Sequence, residues 1–491
     1  MDAKIENYLK IIDSAISGGK YKDDWESLSE YPVPEWYKEA KLGAFIHWGL
    51  FSVPEYFNEW YERLMYYRGN PIHIHHVRKY GKDFDYSKFI DLFKAEKFDA
   101  ADLVGILADA GMKYIMPVAE HHDGFKMYKS GLSKWNASDM GPERDILGEI
   151  KAECERRNVK FACSSHRAEH FWFANGARTI GYDNEVLNPE FEDFYGPAVN
   201  VNKKNGLINF YKRERGITPT KEWLENWLAH TAELIDRYRP ETLFFDWWVS
   251  NKAFRPYMKK FLAYYFNRSL EWGKEVCVQY KSDAIMYNAS IYDVERGRLA
   301  NTSPRVWQSE TAMAKNAWSY TPQNRWKKPR DILAAFVDAI SKNGNFVLNV
   351  GPRADGSISK EESEILKEIA RFMKINAPAI WGTSPWKVFG EGRKAETKSF
   401  VEKNNYSYRD FRYTYRPCRI YAFAMKPSKK GIYRLRSLRE GRDSFDSIIK
   451  GVKILGYENK VEYTLTKKYL KLEVEGKIGT EDPVCFEIEI D

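Results

Sequence analysis

Between residues 42 and 351, short apolar runs alternate with helix-length amphipathic segments, and most runs end in polar side chains. "LGAFIHWGL" (42–50), "MKYIMPVAEHHDG" (112–124), "VKFACSSH" (159–166), "TLFFDWW" (242–248), "EVCVQY" (275–280) and "NFVLNVG" (345–351) read as buried strands. "FDAADLVGILADAG" (98–111), "RDILGEIKAECERRN" (144–158), "TPTKEWLENWLAHTAELIDRYRP" (218–240) and "RDILAAFVDAISKNG" (330–344) read as helices. In the first, Leu103, Val104, Leu107 and Ala110 share one side, and Gly111 marks the stop. In the third, Thr218-Pro219 signals the start and Pro240 the end. Such alternation implies parallel strands covered by helices. His47, Glu120 to Asp123, His166, Asp246 and Asn349 all stand at strand ends. An open sheet gathers polar residues at one crevice, whereas a closed barrel turns every strand end toward one mouth. The expected fold is therefore α/β, a (β/α)8-like barrel of the TIM type.

The rhythm changes near residue 380. Val461, Tyr463 and Leu465, then Leu470, Leu472 and Val474, alternate with polar residues across a Lys-Lys turn. Val484, Phe486, Ile488 and Ile490 alternate with acids. Period two with one polar side implies half-buried antiparallel strands. The expected organisation is a helical preface (residues 1 to about 40) and barrel over 1–380, then a C-terminal antiparallel β-sandwich over 381–491. A helix over 356–375, opened by a Ser359–Glu362 capping box, joins them. The 491 residues also exceed what one ordinary core accommodates.

The 77 basic and 69 acidic residues are spread along the chain, so neither nucleic acid nor a membrane is an expected partner. Five dispersed cysteines without a CxxC pair suit a reduced compartment. The N-terminal segment has no apolar leader core, so a cytoplasmic location is the expectation.

Asp246 stands among Leu, Phe and Trp, where an ionised carboxylate is costly unless it is paired. It is either a solvated strand end or a residue held for chemistry. His47, His121, His122, His166 and Asp246 together match an amidohydrolase-like ligand set, which makes a metal-dependent hydrolase one alternative. Their spacing fits no compact metal motif, and no metal or cofactor is expected. Glu59-Trp60 pairs a carboxylate with an indole, a combination suited to a sugar's hydroxyls and C–H face. Glycoside hydrolysis needs two carboxylates. Glu295 in "YDVERG" and Glu310 in "WQSETA" are the candidates to partner Asp246. The first segment reads as a loop over the barrel mouth.

"KLGAFIHWGLFSVPEY…NEWY", "YIMPVAEHHDGF…SKWNASD…RDILGE", "FFDWW", "AWSYT" and "NGNFVLNVGPRADGSI" occur in an order that resembles the α-L-fucosidases of glycoside hydrolase family 29, over roughly residues 36 to 385. The resemblance implies a barrel followed by a sandwich, and retaining hydrolysis of α-L-fucosides without a metal. It implies Asp246 as nucleophile. It implies Phe45, Phe244 and Trp247 as an apolar pocket for the sugar's C5 methyl, and His47, Glu59, Trp60, His121 and His122 as hydroxyl partners. Asp123 is expected to brace the histidine pair. The substrate would be an oligosaccharide or glycoconjugate carrying α-L-fucose, and a homo-oligomer is compatible with the resemblance.

Three positions depart from the family pattern. His166 stands where relatives place an aromatic residue on the third strand, Lys281 where many have Arg, and Gln308 where many have Glu after Trp. Glu295 is therefore the expected acid/base, with Glu310 bracing the "AWSYT" turn and Asp293 a further alternative. L-Galactosides, which add a hydroxyl to C6, are a neighbouring substrate class, and a non-catalytic fucose-binding protein is a third reading.

Overall fold

The computed structural model describes residues 2–199, 217–393, 398, 400–402, 405–441 and 445–491. Eight parallel strands close a barrel: β1 (Leu42–Ile46), β2 (Tyr114–Glu120), β3 (Lys160–Ser165), β4 (Thr242–Phe245), β5 (Cys277–Tyr280), β6 (Ile291–Glu295), β7 (Trp307–Ala312) and β8 (Gly344–Val350). β8 pairs with β1 from Leu42↔Phe346 to Ile46↔Val350, which leaves the sheet no edge.

Six of these strands match the apolar runs. β6 and β7 are the two that periodicity did not reveal as strands, because no helix separates β5 from β6 or β6 from β7 among the described residues. All six residues of β7 are buried although four are polar: Gln308, Ser309, Glu310 and Thr311. Glu295 is therefore the last residue of a strand and not part of a loop.

The barrel interior is filled from below by Tyr37 and Tyr114, then by Met116, Ala162, Cys277, Ile291 and Val347, and toward the mouth by Phe45 and Phe244. Gly43 permits this filling, since a Cβ there would lie 2.4 Å from the Tyr114 ring. Gln308 ties the floor together. It accepts from the hydroxyls of Tyr37 at 2.8 Å and Tyr114 at 3.2 Å, and donates to Asp293 at 2.9 Å.

The helix predicted over 218–240 spans Lys221–Tyr238, and its N-cap is Thr220, one turn residue past the Thr-Pro pair. The preface helix Ala3–Gly18 packs on this helix and on Arg255–Trp272. Asn267 clamps the chain behind it through both the N–H and C=O of Tyr21, each at 2.8 Å. The helix Lys360–Ile380 carries the predicted Ser359–Glu362 capping box.

The C-terminal part is a five-stranded antiparallel sheet facing a three-stranded one. β9 (Ser384–Glu391), β10 (Phe411–Arg416), β11 (Arg419–Ala424), β13 (Ile449–Ile454) and β16 (Val484–Ile490) form the first. β12 (Ile432–Leu435), β14 (Val461–Leu465) and β15 (Leu470–Val474) form the second. Ile420, Ala422 and Ala424 of β11 enter the core between these sheets, whereas Tyr421 and Phe423 enter the core shared with the barrel helices. At that seam Asp338, on the helix Pro329–Ser341, accepts from Arg412 Nε at 2.5 Å and Lys342 Nζ at 2.7 Å.

Candidate active site

The carboxyl ends of the barrel strands surround a cavity of about 690 Å³. Twelve residues named from the sequence line it: Phe45, His47, Glu59, Trp60, His121, His122, His166, Phe244, Asp246, Trp247, Lys281 and Glu295. Asp293, Glu310 and Trp318 line it too.

Asp246 follows directly on β4 and opens a short 3-10 turn over Trp247–Ser250. Its Oδ1 lies 2.9 Å from Lys281 Nζ, and its Oδ2 faces His166 Nδ1 at 3.4 Å and His122 Nε2 at 3.6 Å. Burial alone would raise its pKa, but Lys281, His166 and His122 outweigh burial and hold it well below the usual carboxylate range.

Lys281 follows β5 and collects three carboxylates: Asp246, Glu295 at 2.6 Å and Glu310 at 2.8 Å. Burial would favour the neutral amine, yet the surrounding anions raise its pKa well above the ordinary lysine value. Glu295 and Glu310 are register partners on β6 and β7, as are Asp293 and Gln308 one layer deeper. Glu295 keeps 15% of its side chain exposed and Glu310 only 1%. Burial, then the charge of Asp293, pushes Glu310 well above the glutamate range, and burial raises Asp293 to about 7.

β2 ends at Glu120, so the alternation of a strand no longer applies to His121 and His122, and both rings meet at the mouth with centroids 4.2 Å apart. His47 Nδ1 bonds Asn349 Oδ1 at 2.6 Å, from the end of β8. His166 Nε2 bonds the Ser164 hydroxyl at 3.1 Å. Burial is the main cause that keeps His47 and His121 well below the histidine range. His122 is raised, because the carboxylates of Glu169 and Asp246 overcome its burial.

Two bracing expectations are corrected. Asp123 accepts from the Tyr86 hydroxyl at 2.7 Å and the Phe125 N–H at 3.2 Å, so it is tied to the outer shell and not to the histidine rings. Glu169 takes the bracing place: Oε2 faces His122 Nδ1 at 3.5 Å, and Oε1 accepts the Trp248 N–H at 3.0 Å, just past Asp246. The "AWSYT" turn is braced by Glu59 and not by Glu310. Glu59 Oε2 accepts the N–H groups of Trp318 at 2.9 Å and Ser319 at 3.3 Å. Trp318 in turn lies against His47, with ring centroids 5.1 Å apart. Sequence reasoning missed Trp318 and Glu169 because the first sits in a loop and the second in a three-residue 3-10 turn, neither of which has a period to read. An acid two residues before the aromatic run Phe171-Trp172-Phe173 was the available signal for Glu169.

A closed parallel barrel with paired carboxylates in an aromatic pocket at its mouth has the parts that a glycoside hydrolase requires. The comparisons narrow the class. The family description "Alpha-L-fucosidase" matches residues 9–378. The chain is 28% identical over 406 residues to the tissue alpha-L-fucosidase of Rattus norvegicus, covering 79% of each chain. It is 29% identical over 385 residues to a putative alpha-L-fucosidase of Caenorhabditis elegans, covering 74% of this chain and 70% of the other. The structure of Thermotoga maritima alpha-fucosidase in complex with fucose superposes with a TM-score of 0.73 at 24% identity, over 95% of this chain and all of that one. The chain belongs to the α-L-fucosidase family.

Proposed function

We propose that the protein is a retaining exo-α-L-fucosidase that releases terminal α-L-fucose from oligosaccharides or glycoconjugates, with Asp246 as nucleophile and Glu295 as acid/base. One observation carries this reading. Asp246 and Glu295 each place an oxygen on the Lys281 ammonium, at 2.9 and 2.6 Å, so those oxygens are at most 5.5 Å apart. Retaining glycosidases hold their carboxyl groups about 5–5.5 Å apart, whereas inverting ones need about 6.5 Å or more to admit a water.

In the first step the Asp246 carboxylate attacks the anomeric carbon while Glu295 gives its proton to the departing glycosidic oxygen. In the second, Glu295 takes a proton from water, which attacks the same carbon and frees Asp246. Asp246 suits attack because Lys281 and the histidines keep it ionised. Glu295, more exposed than Glu310, is the better placed of the two to protonate a leaving group that departs toward solvent. Lys281 must leave Glu295 for the acid to be protonated, and Glu310 offers the ammonium a second seat at 2.8 Å. Phe45, Phe244 and Trp247 supply the apolar wall for the C5 methyl. His47, His121, His122, His166, Glu59, Trp60 and Lys281 supply partners for hydroxyls. The five free cysteines, four of them buried, support a cytoplasmic setting.

Leaving groups test the assignment. Glu295→Ala is expected to nearly abolish hydrolysis of a fucosyl disaccharide while still releasing nitrophenol, which departs without protonation. Azide should then yield the α-azide with retained configuration. If Glu310→Ala shows this pattern and Glu295→Ala does not, the roles are exchanged. Full activity in EDTA is expected; a loss restored by zinc would favour the metal-dependent alternative, which the His47–His121–His166 grouping makes a specific competitor.

A further inference from the structure

His122 and His166 do more around Asp246 than hydrogen bonding to a sugar requires. His122 Nδ1 is turned away, toward Glu169 Oε2 at 3.5 Å and the His166 carbonyl at 3.4 Å. That leaves Nε2 facing Asp246 Oδ2 at 3.6 Å. His166 is turned the other way: Nε2 is on the Ser164 hydroxyl at 3.1 Å and Nδ1 faces the same Oδ2 at 3.4 Å. His166 Nδ1 is buried and has no hydrogen-bond partner among the described residues. Each ring therefore has its outer nitrogen held by a second group and its inner nitrogen aimed at one carboxylate oxygen. This is how metal-ligating histidines are oriented, with the far N–H on a carboxylate, carbonyl or hydroxyl.

The spacing at Asp246 fits as well. Zinc binds histidine nitrogen and carboxylate oxygen at about 2.0–2.2 Å in a tetrahedron, which puts neighbouring ligand atoms about 3.3 Å apart. The two edges at Asp246 are 3.4 and 3.6 Å, and the ligand atoms of His122, His166 and Asp246 all lie within 4.8 Å of one another. Lys281 occupies the other oxygen, Oδ1, and leaves Oδ2 free for an ion. The fourth position opens into the cavity, where water would complete the shell.

We propose that His122, His166 and Asp246 form a site for a first-row divalent ion, zinc above all, which occupies the sugar pocket in competition with substrate and inhibits the enzyme. The ion acts by coordination alone. It takes a lone pair of Asp246 Oδ2, and a carboxylate so engaged is a poor nucleophile toward the anomeric carbon. Binding rests on the geometry; inhibition rests on the proposed role of Asp246.

The test uses the whole protein, freed of metal with EDTA, then of EDTA, and titrated with cobalt(II), whose visible absorption reports four-coordinate nitrogen and oxygen ligation. One cobalt per chain is expected. L-Fucose should weaken its binding, and activity on an aryl fucoside should fall in step with the absorption and return with EDTA. His166→Phe should weaken cobalt binding at least about 100-fold, and Ser164→Ala about 10–100-fold, the range for removing a group that orients a ligand. Circular dichroism identifies a variant that has not folded, and Ser164→Ala then carries the test alone. Absence of the band, a band indifferent to Ser164→Ala and to L-fucose, or activation by cobalt would overturn the proposal. A band that follows the substitutions in a protein inactive on every aryl L-fucoside would uphold the metal site and overturn the fucosidase reading instead.

Discussion

Two of the molecule's buried charge clusters are built on opposite plans. At the barrel–sandwich seam, one anion, Asp338, takes two cations, Arg412 at 2.5 Å and Lys342 at 2.7 Å. At the barrel mouth, one cation, Lys281, is shared by Asp246, Glu295 and Glu310, with Asp293 close behind. The seam lowers Asp338 to about 2 despite burial, because Arg412 and Lys342 stabilise the anion. The mouth raises Asp293 to about 7, because burial there is compensated less. Asp293 Oδ2, His121 Nδ1 and His166 Nδ1 lack hydrogen-bond partners among the described residues. A satisfied cluster holds two units together, and an unsatisfied one stands ready for a ligand's hydroxyls or, as inferred above, for a metal ion.

The sharpest way to break this contrast is to remove one acid from each cluster. Asp246→Ala should lower kcat by about four orders of magnitude, roughly 5 kcal/mol, with little change in KM and no loss of thermal stability. Azide should partly rescue it and give the β-azide. Activity near that of the unaltered protein would remove Asp246 from the nucleophile's place. Asp338→Asn should do the reverse. Breaking a buried ion pair costs about 3–5 kcal/mol, so urea denaturation should show that loss while kcat per folded molecule stays the same.

A finer comparison probes donors within the mouth. His121→Ala should cost about 3 kcal/mol of transition-state stabilisation, read from kcat/KM, as expected for one preorganised hydrogen-bond donor. A last comparison lies in the pH dependence of stability. Asp293 has a folded pKa above its unfolded value, so its contribution is most favourable below about pH 4 and is lost as pH rises toward 7. Asp338 has the opposite sign: its contribution is present above about pH 4 and is lost as pH falls toward 2. Asp293→Asn should therefore melt higher than the unaltered protein at pH 8, with the gap closing by pH 4. A constant gap across that range would separate Asp293 from the pH dependence.

Much of this was legible in the sequence, for physical reasons that also mark where legibility stops. β1 to β5 and β8 announce themselves because each is an apolar run bounded by turn or helix signals. β7 does not, because Gln308 and Glu310 face partners inside the barrel, and polar interiors look like loops to any period-based reading. Asp246 stood out because its neighbours are apolar, and Lys281 because it departs from the family's Arg. Glu169 and Trp318 act from irregular turns, where contact depends on folding and leaves no spacing to read. The exchange of bracing roles between Glu59 and Glu310 has the same cause, since residues 59 and 318 meet only through closure of the barrel by β8 on β1.

β11 carries a further consequence. Its alternate side chains serve two cores, with Ile420, Ala422 and Ala424 on one side and Tyr421 and Phe423 on the other. Neither core can come apart without stripping a face of the same five-stranded sheet. Cooperativity should therefore extend across the seam, and calorimetry should record a single melting transition in place of separate barrel and sandwich peaks. In evolutionary terms the C-terminal sheets are not freely exchangeable cargo, because a replacement must reproduce the outward-facing row of β11 as well as its own interior.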